Sequence, residues 1–213
     1  MFVIHLIMML ILHLLATEAC WSEKPQDIDW SKLTGNWYNS LVTHDDWALS
    51  NKCVLVNVWK ATDNGVTIKL HPFPKHGLVK DSITHELLEE KEKPGWYHIK
   101  KDSALQDIAI VVESVTKSES TIPIANLIEA RAQLYMEPLT FVTDYSSYLL
   151  AMACNKDGET VAWINTRDRT PNHAEKRILR ILARFHGIKK KMYETKCNEI
   201  KLVATSSNDE YHE

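Results

Sequence analysis

Short apolar runs rich in β-branched and aromatic residues, each bounded by turn residues, dominate the chain. Gly35-Asn36-Trp37-Tyr38 opens one such run, and Cys53-Val54-Leu55-Val56-Asn57-Val58-Trp59 is a second. Asp63-Asn64-Gly65 predicts a hairpin turn before Val66-Thr67-Ile68-Lys69-Leu70, because Asn-Gly adopts the positive φ that a tight two-residue turn demands. Residues 82–88, 96–100 and 108–115 read as further short strands, divided by Lys93-Pro94-Gly95 and polar turns. Residues 140–154 read as another strand, and residues 160–167 as the strand that returns from a turn at Lys156-Asp157-Gly158. Strands at this spacing predict an all-β barrel or sandwich.

One helix breaks the pattern. Thr170-Pro171-Asn172 supplies a helix start, Ile178, Ile181, Leu182 and Phe185 fall at i, i+3, i+4 and i+7, and Gly187 suits the C-terminal cap. That spacing predicts an amphipathic helix packed on the β-structure through those four residues. Residues 124–136 have helical composition inside a run of strands, and are read as a short helix or an inserted segment.

With 213 residues, 45% of them apolar and 25% charged, the chain has the composition of one folded domain. A net charge of -3 without a basic stripe argues against nucleic acid as a partner. Residues 2–15 are apolar except for His5 and His13, and Ala16-Thr17-Glu18-Ala19 follows with small residues where a signal peptidase reads. The expectation is a signal peptide over residues 1–19, a secreted, extracellular product beginning at Cys20, and no stable membrane insertion, since a spanning helix needs about 20 apolar residues. In an oxidising compartment the four cysteines, Cys20, Cys53, Cys154 and Cys197, favour two disulfides over metal ligation, and spacing leaves all three connectivities open. Residues 206–213 form a polar tail.

Candidate chemistry is sparse. His44, His71, His76 and His85 lack metal-ligand spacing on any one element and read as loop or surface residues. Ser146-Ser147 has neither a nucleophile elbow nor a positioned His, so no catalytic residue, metal site or cofactor is assigned.

The order of parts resembles the lipocalin family: Gly35-Asn36-Trp37 early, Thr143-Asp144-Tyr145 in a late strand, an Arg closing the next strand, then one helix. Within it the chain is most similar to apolipoprotein D and the insect bilin-binding proteins, through Asp29-Trp30-Ser31, Gly-x-Trp-Tyr, Asn51-Lys52-Cys53, Trp163-Ile164 before Arg167, and Cys197 behind the helix. The arthropod salivary lipocalins share a similar four-cysteine plan. The resemblance implies an eight-stranded antiparallel up-and-down barrel with a C-terminal helix packed outside, over residues 20–205. It implies disulfides Cys20–Cys154 and Cys53–Cys197, and a guanidinium over the Trp37 indole, from Arg167 in preference to Arg169. The stretch before Leu139 is about 25 to 30 residues longer than the family's corresponding turn, judged by usual loop lengths. That insertion, residues 117–138, is expected to lie outside the barrel as a lid, a lineage insertion or a gene-model error.

Alternate residues of a barrel strand face inward. Counting from the motifs assigns Val54, Val56, Val58, Ile68, Leu70, Leu149, Ala151, Ala153, Trp163 and Asn165 to the cavity, with Asn57, Cys53 and Trp59 outside. Gly35, Trp37, Thr143, Asp144, Tyr145 and Arg167 are assigned structural roles. The implied function is a secreted carrier of one small hydrophobic ligand: a lipid, fatty acid, sterol, retinoid or bilin. The alternative is a scavenger of biogenic amines or lipid mediators, for which an amine would need an inward carboxylate that these strands lack. A lipocalin-fold enzyme is a distant third, since it would need a free cavity thiol. A cell-surface receptor is left unknown.

Overall fold

The computed structural model describes residues 25–44, 51–75, 82–116, 125, 128, 129, 132, 135–155 and 158–200, with the backbone alone at 106 and 110–116. The expected signal peptide, Cys20 and the polar tail lie outside the described residues. Eight strands, β1 (Gly35–Val42), β2 (Asn51–Thr62), β3 (Gly65–Pro74), β4 (Ile83–Glu89), β5 (Trp96–Ile99), β6 (Leu139–Thr143), β7 (Tyr148–Cys154) and β8 (Thr160–Thr166), follow one another around a closed antiparallel barrel. β1 closes it by pairing with both β2 and β8, and a two-residue β9 (Tyr193–Glu194) adds to β1. The predicted hairpin forms between β2 and β3, with Thr62 opposite Gly65. Only glycine fits position 65: its φ is +149°, and a Cβ there would lie 1.9 Å from the Leu87 carbonyl oxygen.

Two strand expectations give way to different elements. Residues 108–115 belong to helix α1 (Lys101–Thr116). Their β-branched composition favours a strand, but Ala104, Ile108, Val111 and Val115 also repeat at helical spacing. Tertiary context decides between the two readings. Lys100 N–H still donates to the Glu86 carbonyl as a strand would, the Ser103 hydroxyl then accepts from Glu86 N–H, and Ala104 N–H closes the first helical turn on Lys100. The helix thus takes over the edge of β4 where β5 stops. Residues 140–154 are likewise two strands, separated by a turn at 144–147.

That turn is built by Thr143-Asp144-Tyr145. Asp144 Oδ1 accepts from the N–H groups of Ser146, Ser147 and Tyr148 at 2.8 to 3.1 Å, and Tyr145 takes a left-handed φ of +64°. Burial pushes the Asp144 carboxyl up, but the Ser147 hydroxyl and these backbone donors outweigh it and hold the group at about 2. Gln26 bonds both the N–H and the carbonyl of Thr143, and the Tyr145 hydroxyl accepts from Asp29 N–H at 3.2 Å. The N-terminal segment is therefore strapped across one end of the barrel, where Trp30, Tyr97 and Phe141 pack edge to face at 4.9 to 5.5 Å.

The opposite wall is covered by helix α2 (His173–Phe185), which starts in a capping box between Asn172 and Glu175. Its packed face differs from the expected one. Leu179 and Ala183 are buried against Leu41, Leu150, Met152, Ala162 and Ile164, whereas Ile178, Ile181 and Phe185 are 58 to 71% exposed. Glu194 on β9 holds Lys176 at 2.9 Å and Arg180 at 2.6 Å, which fixes the roll of the helix. The small Ala183 and Ala162 then allow close approach to the wall. Cys53 is bonded to Cys197, which pins the C-terminal segment to β2. Cys154 is also disulfide-bonded, and its expected partner Cys20 lies outside the described residues.

Candidate ligand cavity

Alternation along the strands places one set of side chains inside the barrel. Trp37 and Asn39 point inward from β1; a bulge between Asn39 and Leu41 then shifts the parity, so that Val42 joins the interior cluster and Leu41 the cluster under α2. At the strapped end the Trp37 indole N–H donates to the Leu33 carbonyl at 2.8 Å, and the Arg167 guanidinium lies 3.8 Å above its ring. Arg167 also donates to the Asn36 carbonyl at 3.1 Å, while Arg169 reaches the Ile200 carbonyl instead. Gly35, at φ +98°, lets the guanidinium in, since a Cβ there would sit 3.2 Å from it. This end of the barrel is a packed plug.

Above the plug lies a cavity of about 100 Å³. Of the residues assigned to its wall from sequence, Val54, Val56, Ile68, Leu70, Leu149, Ala151, Trp163 and Asn165 line it. Val58 and Ala153 belong to the same interior cluster but lie off the cavity wall. Sequence reasoning missed Asn39, His85 and Tyr135 on the wall, along with the aromatic and aliphatic neighbours Trp30, Ile99, Leu139 and Phe141. Asn39 carried a usable signal, because it stands two residues beyond Trp37 on the same strand.

His85 corrects a surface assignment: it sits on β4 between Ile83 and Leu87 and is 4% exposed. Its Nε2 lies 3.2 Å from Oδ2 of Asp107, which projects from α1 and is fully buried. A buried carboxyl group on α1 therefore touches a residue of the cavity wall. A described residue of the insertion also enters the barrel. Tyr135, 9% exposed, joins the interior cluster and lines the cavity, with its ring edge-on to His85 at 5.7 Å. The expectation that residues 117–138 lie wholly outside the barrel fails at Tyr135, because β5 and β6 pair only at Trp96–Thr140 and Tyr97–Leu139 and leave wall to be filled.

No protein-family model and no curated protein matches the sequence. Solved structures match its shape. Insecticyanin from the tobacco hornworm Manduca sexta superimposes with a TM-score of 0.53 over 83% of this chain and 85% of its own, at 17% identity. The major allergen Per a 4 from cockroaches does so with a TM-score of 0.50 over 79% of this chain and 88% of its own, at 13% identity. The fold is the lipocalin barrel. At such identities the likeness carries the fold and nothing finer, so the chemistry of the site rests on this chain's own lipocalin interior.

Among the described residues the cavity wall carries the polar side chains of Asn39, His85, Asn165 and Tyr135, and no lysine, arginine, aspartate or glutamate. Among the described residues no three His, Cys, Asp or Glu side chains converge as metal ligands, and every described cysteine is in a disulfide. No helix among them is long and apolar enough to cross a membrane.

Proposed function

We propose that this protein is a secreted lipocalin that carries one small hydrophobic ligand reversibly, with burial of apolar surface as the driving force. The observation that carries the reading is the cavity itself, walled by Val54, Val56, Ile68, Leu70, Leu149 and Ala151, with the Trp163 ring as a flat face. Its volume, about 100 Å³, is below the 300–1,000 Å³ or so usual for drug-sized ligands, and an apolar cavity of about 150 Å³ takes a benzene ring. The compact end of the ligand range is therefore favoured over a bilin or a long acyl chain. Kinship with the apolipoprotein D and insect bilin-binding group is supported by the Asp29-Trp30-Ser31 and Gly-x-Trp-Tyr runs and by the Cys53–Cys197 bond.

The second reading, a scavenger of biogenic amines, gains one specific observation. Asp107, buried and 3.2 Å from His85, brings a carboxyl group into contact with a residue of the cavity wall, which the strands alone lack. Incubation with a whole lipid extract and with a set of aromatic amines, followed by native mass spectrometry, separates the readings. A defined neutral adduct supports the carrier, and an amine adduct lost in Asp107→Asn supports the scavenger. Absence of any adduct refutes both.

A further inference from the structure

Three polar groups cross from one strand to the next on the cavity wall, and their order leaves one of them facing a ligand. Asn165 on β8 stands opposite both Leu149 on β7 and Asn39 on β1. Its Nδ2 donates to the Leu149 carbonyl at 3.2 Å, which turns its Oδ1 toward Asn39. Asn39 must then present its own Nδ2 to that oxygen, and does so at 3.2 Å. The relay is directional: a main-chain carbonyl orients the first amide and the first amide orients the second. What remains is Oδ1 of Asn39, in a side chain 3% exposed, accepting no hydrogen bond from the described residues. Asn39 lines the cavity together with Leu149, Ala151 and Trp163.

We infer that Asn39 is the specificity-determining residue of the cavity, and that its Oδ1 selects compact apolar ligands carrying a neutral N–H or O–H donor. The inference rests on the carrier reading and names the ligand class. A buried acceptor without a partner is costly, and a ligand donor that reaches it recovers that cost, whereas an apolar group of the same shape leaves it. Carboxylates are disfavoured twice. They bring acceptors to an acceptor, and the described residues of the wall include no lysine or arginine to neutralise them.

Three probes of similar size test this by calorimetry on the full secreted chain: indole, which has an N–H donor; indene, which has none; and benzoate, an anion. Indole is expected to bind about tenfold tighter than indene, the ratio for one hydrogen bond to a buried acceptor, and benzoate weakest of all. Asn39→Leu is expected to abolish the preference for indole over indene. Since that change also breaks the bond to Asn165, wild-type protein is read in parallel: the Asn39 side-chain amide resonances are expected to shift with indole and not with indene. Equal binding of indole and indene by wild-type protein, or tightest binding of benzoate, overturns the inference and leaves the carrier reading standing. Failure of all three probes to bind removes the carrier reading and the inference with it.

Discussion

Tyr135 offers the most direct test of how the insertion and the barrel belong together, because among the described residues of the insertion it is the one that joins the interior cluster. Tyr135→Ala removes a ring that packs in the interior cluster, edge-on to His85. Loss of that apolar contact costs about 2 kcal/mol as a transfer term, and a ring-sized void on the order of 100 Å³ adds about 2.4 kcal/mol at roughly 24 cal/mol per Å³. Those two terms set a ceiling of about 4 kcal/mol. The site already borders a cavity, so new space merges with space that a small molecule can enter, and about 2 to 3 kcal/mol is expected from urea unfolding followed by tryptophan fluorescence.

The same substitution is expected to act in the opposite direction on ligands. A cavity of about 100 Å³ is too tight for a probe of three aromatic rings, and the variant roughly doubles the room. N-phenyl-1-naphthylamine, a neutral fluorophore, should therefore bind Tyr135→Ala at least tenfold tighter than wild type. Stability lost together with affinity gained is the signature of a plug. A loss below about 0.5 kcal/mol with unchanged probe binding would refute the reasoning and return residues 117–138 to the outside of the barrel.

Trp163→Ala should weaken binding of a compact apolar ligand by about 1 to 3 kcal/mol, measured by quenching or calorimetry, and equal affinity in a folded variant would remove Trp163 from the ligand wall. Trp37→Ala should instead cost about 3 to 5 kcal/mol in urea unfolding with little effect on intrinsic affinity, since Trp37 lies in the plug beneath Arg167. The Arg180 guanidinium first, and Lys176 second, hold the Glu194 carboxyl at about 2 in the folded chain, below its ordinary 4.5. A depressed carboxyl contributes stability that is complete above about pH 4.5 and lost as pH falls toward 2, so amide exchange along α2 should accelerate in that window and Glu194→Gln should flatten the response. Replacing Cys53 and Cys197 together by Ala should cost about 2 to 5 kcal/mol, and non-reducing peptide mapping of the wild type should recover the two joined.

The barrel was legible because its cues are local. Gly65 and Gly158 stand where a positive φ is needed, and Gly35-Asn36-Trp37 with Arg167 marks the plug from both sides. The parts that were illegible depend on distant partners. Residues 108–115 carry strand composition, and only the edge of β4 at Glu86, met by Ser103, makes a helix the better solution. On α2 the sequence holds two overlapping apolar stripes, one through Ile178, Ile181 and Phe185 and another through Leu179 and Ala183. The ion pairs from Glu194, eight residues beyond the helix end at His186, choose between them.

The site divides along the same line. β7 reads Tyr-Leu-Leu-Ala-Met-Ala-Cys, apolar on both faces because the cavity lies on one side and α2 on the other, so polarity alone cannot say which residues face in. Parity counted from the flanking motifs does say it, and it puts Leu149 and Ala151 on the wall. Continued along β1, the same count reaches Asn39 before the bulge resets it at Leu41, so an inward amide at position 39 lay within reach of local reasoning. What that amide presents did not. Whether Oδ1 or Nδ2 of Asn39 faces the ligand is decided by the carbonyl of Leu149 acting through Asn165, across two strand pairs joined by register. A cavity's shape can thus follow from alternation along single strands, while its hydrogen-bonding character is a property of the closed barrel.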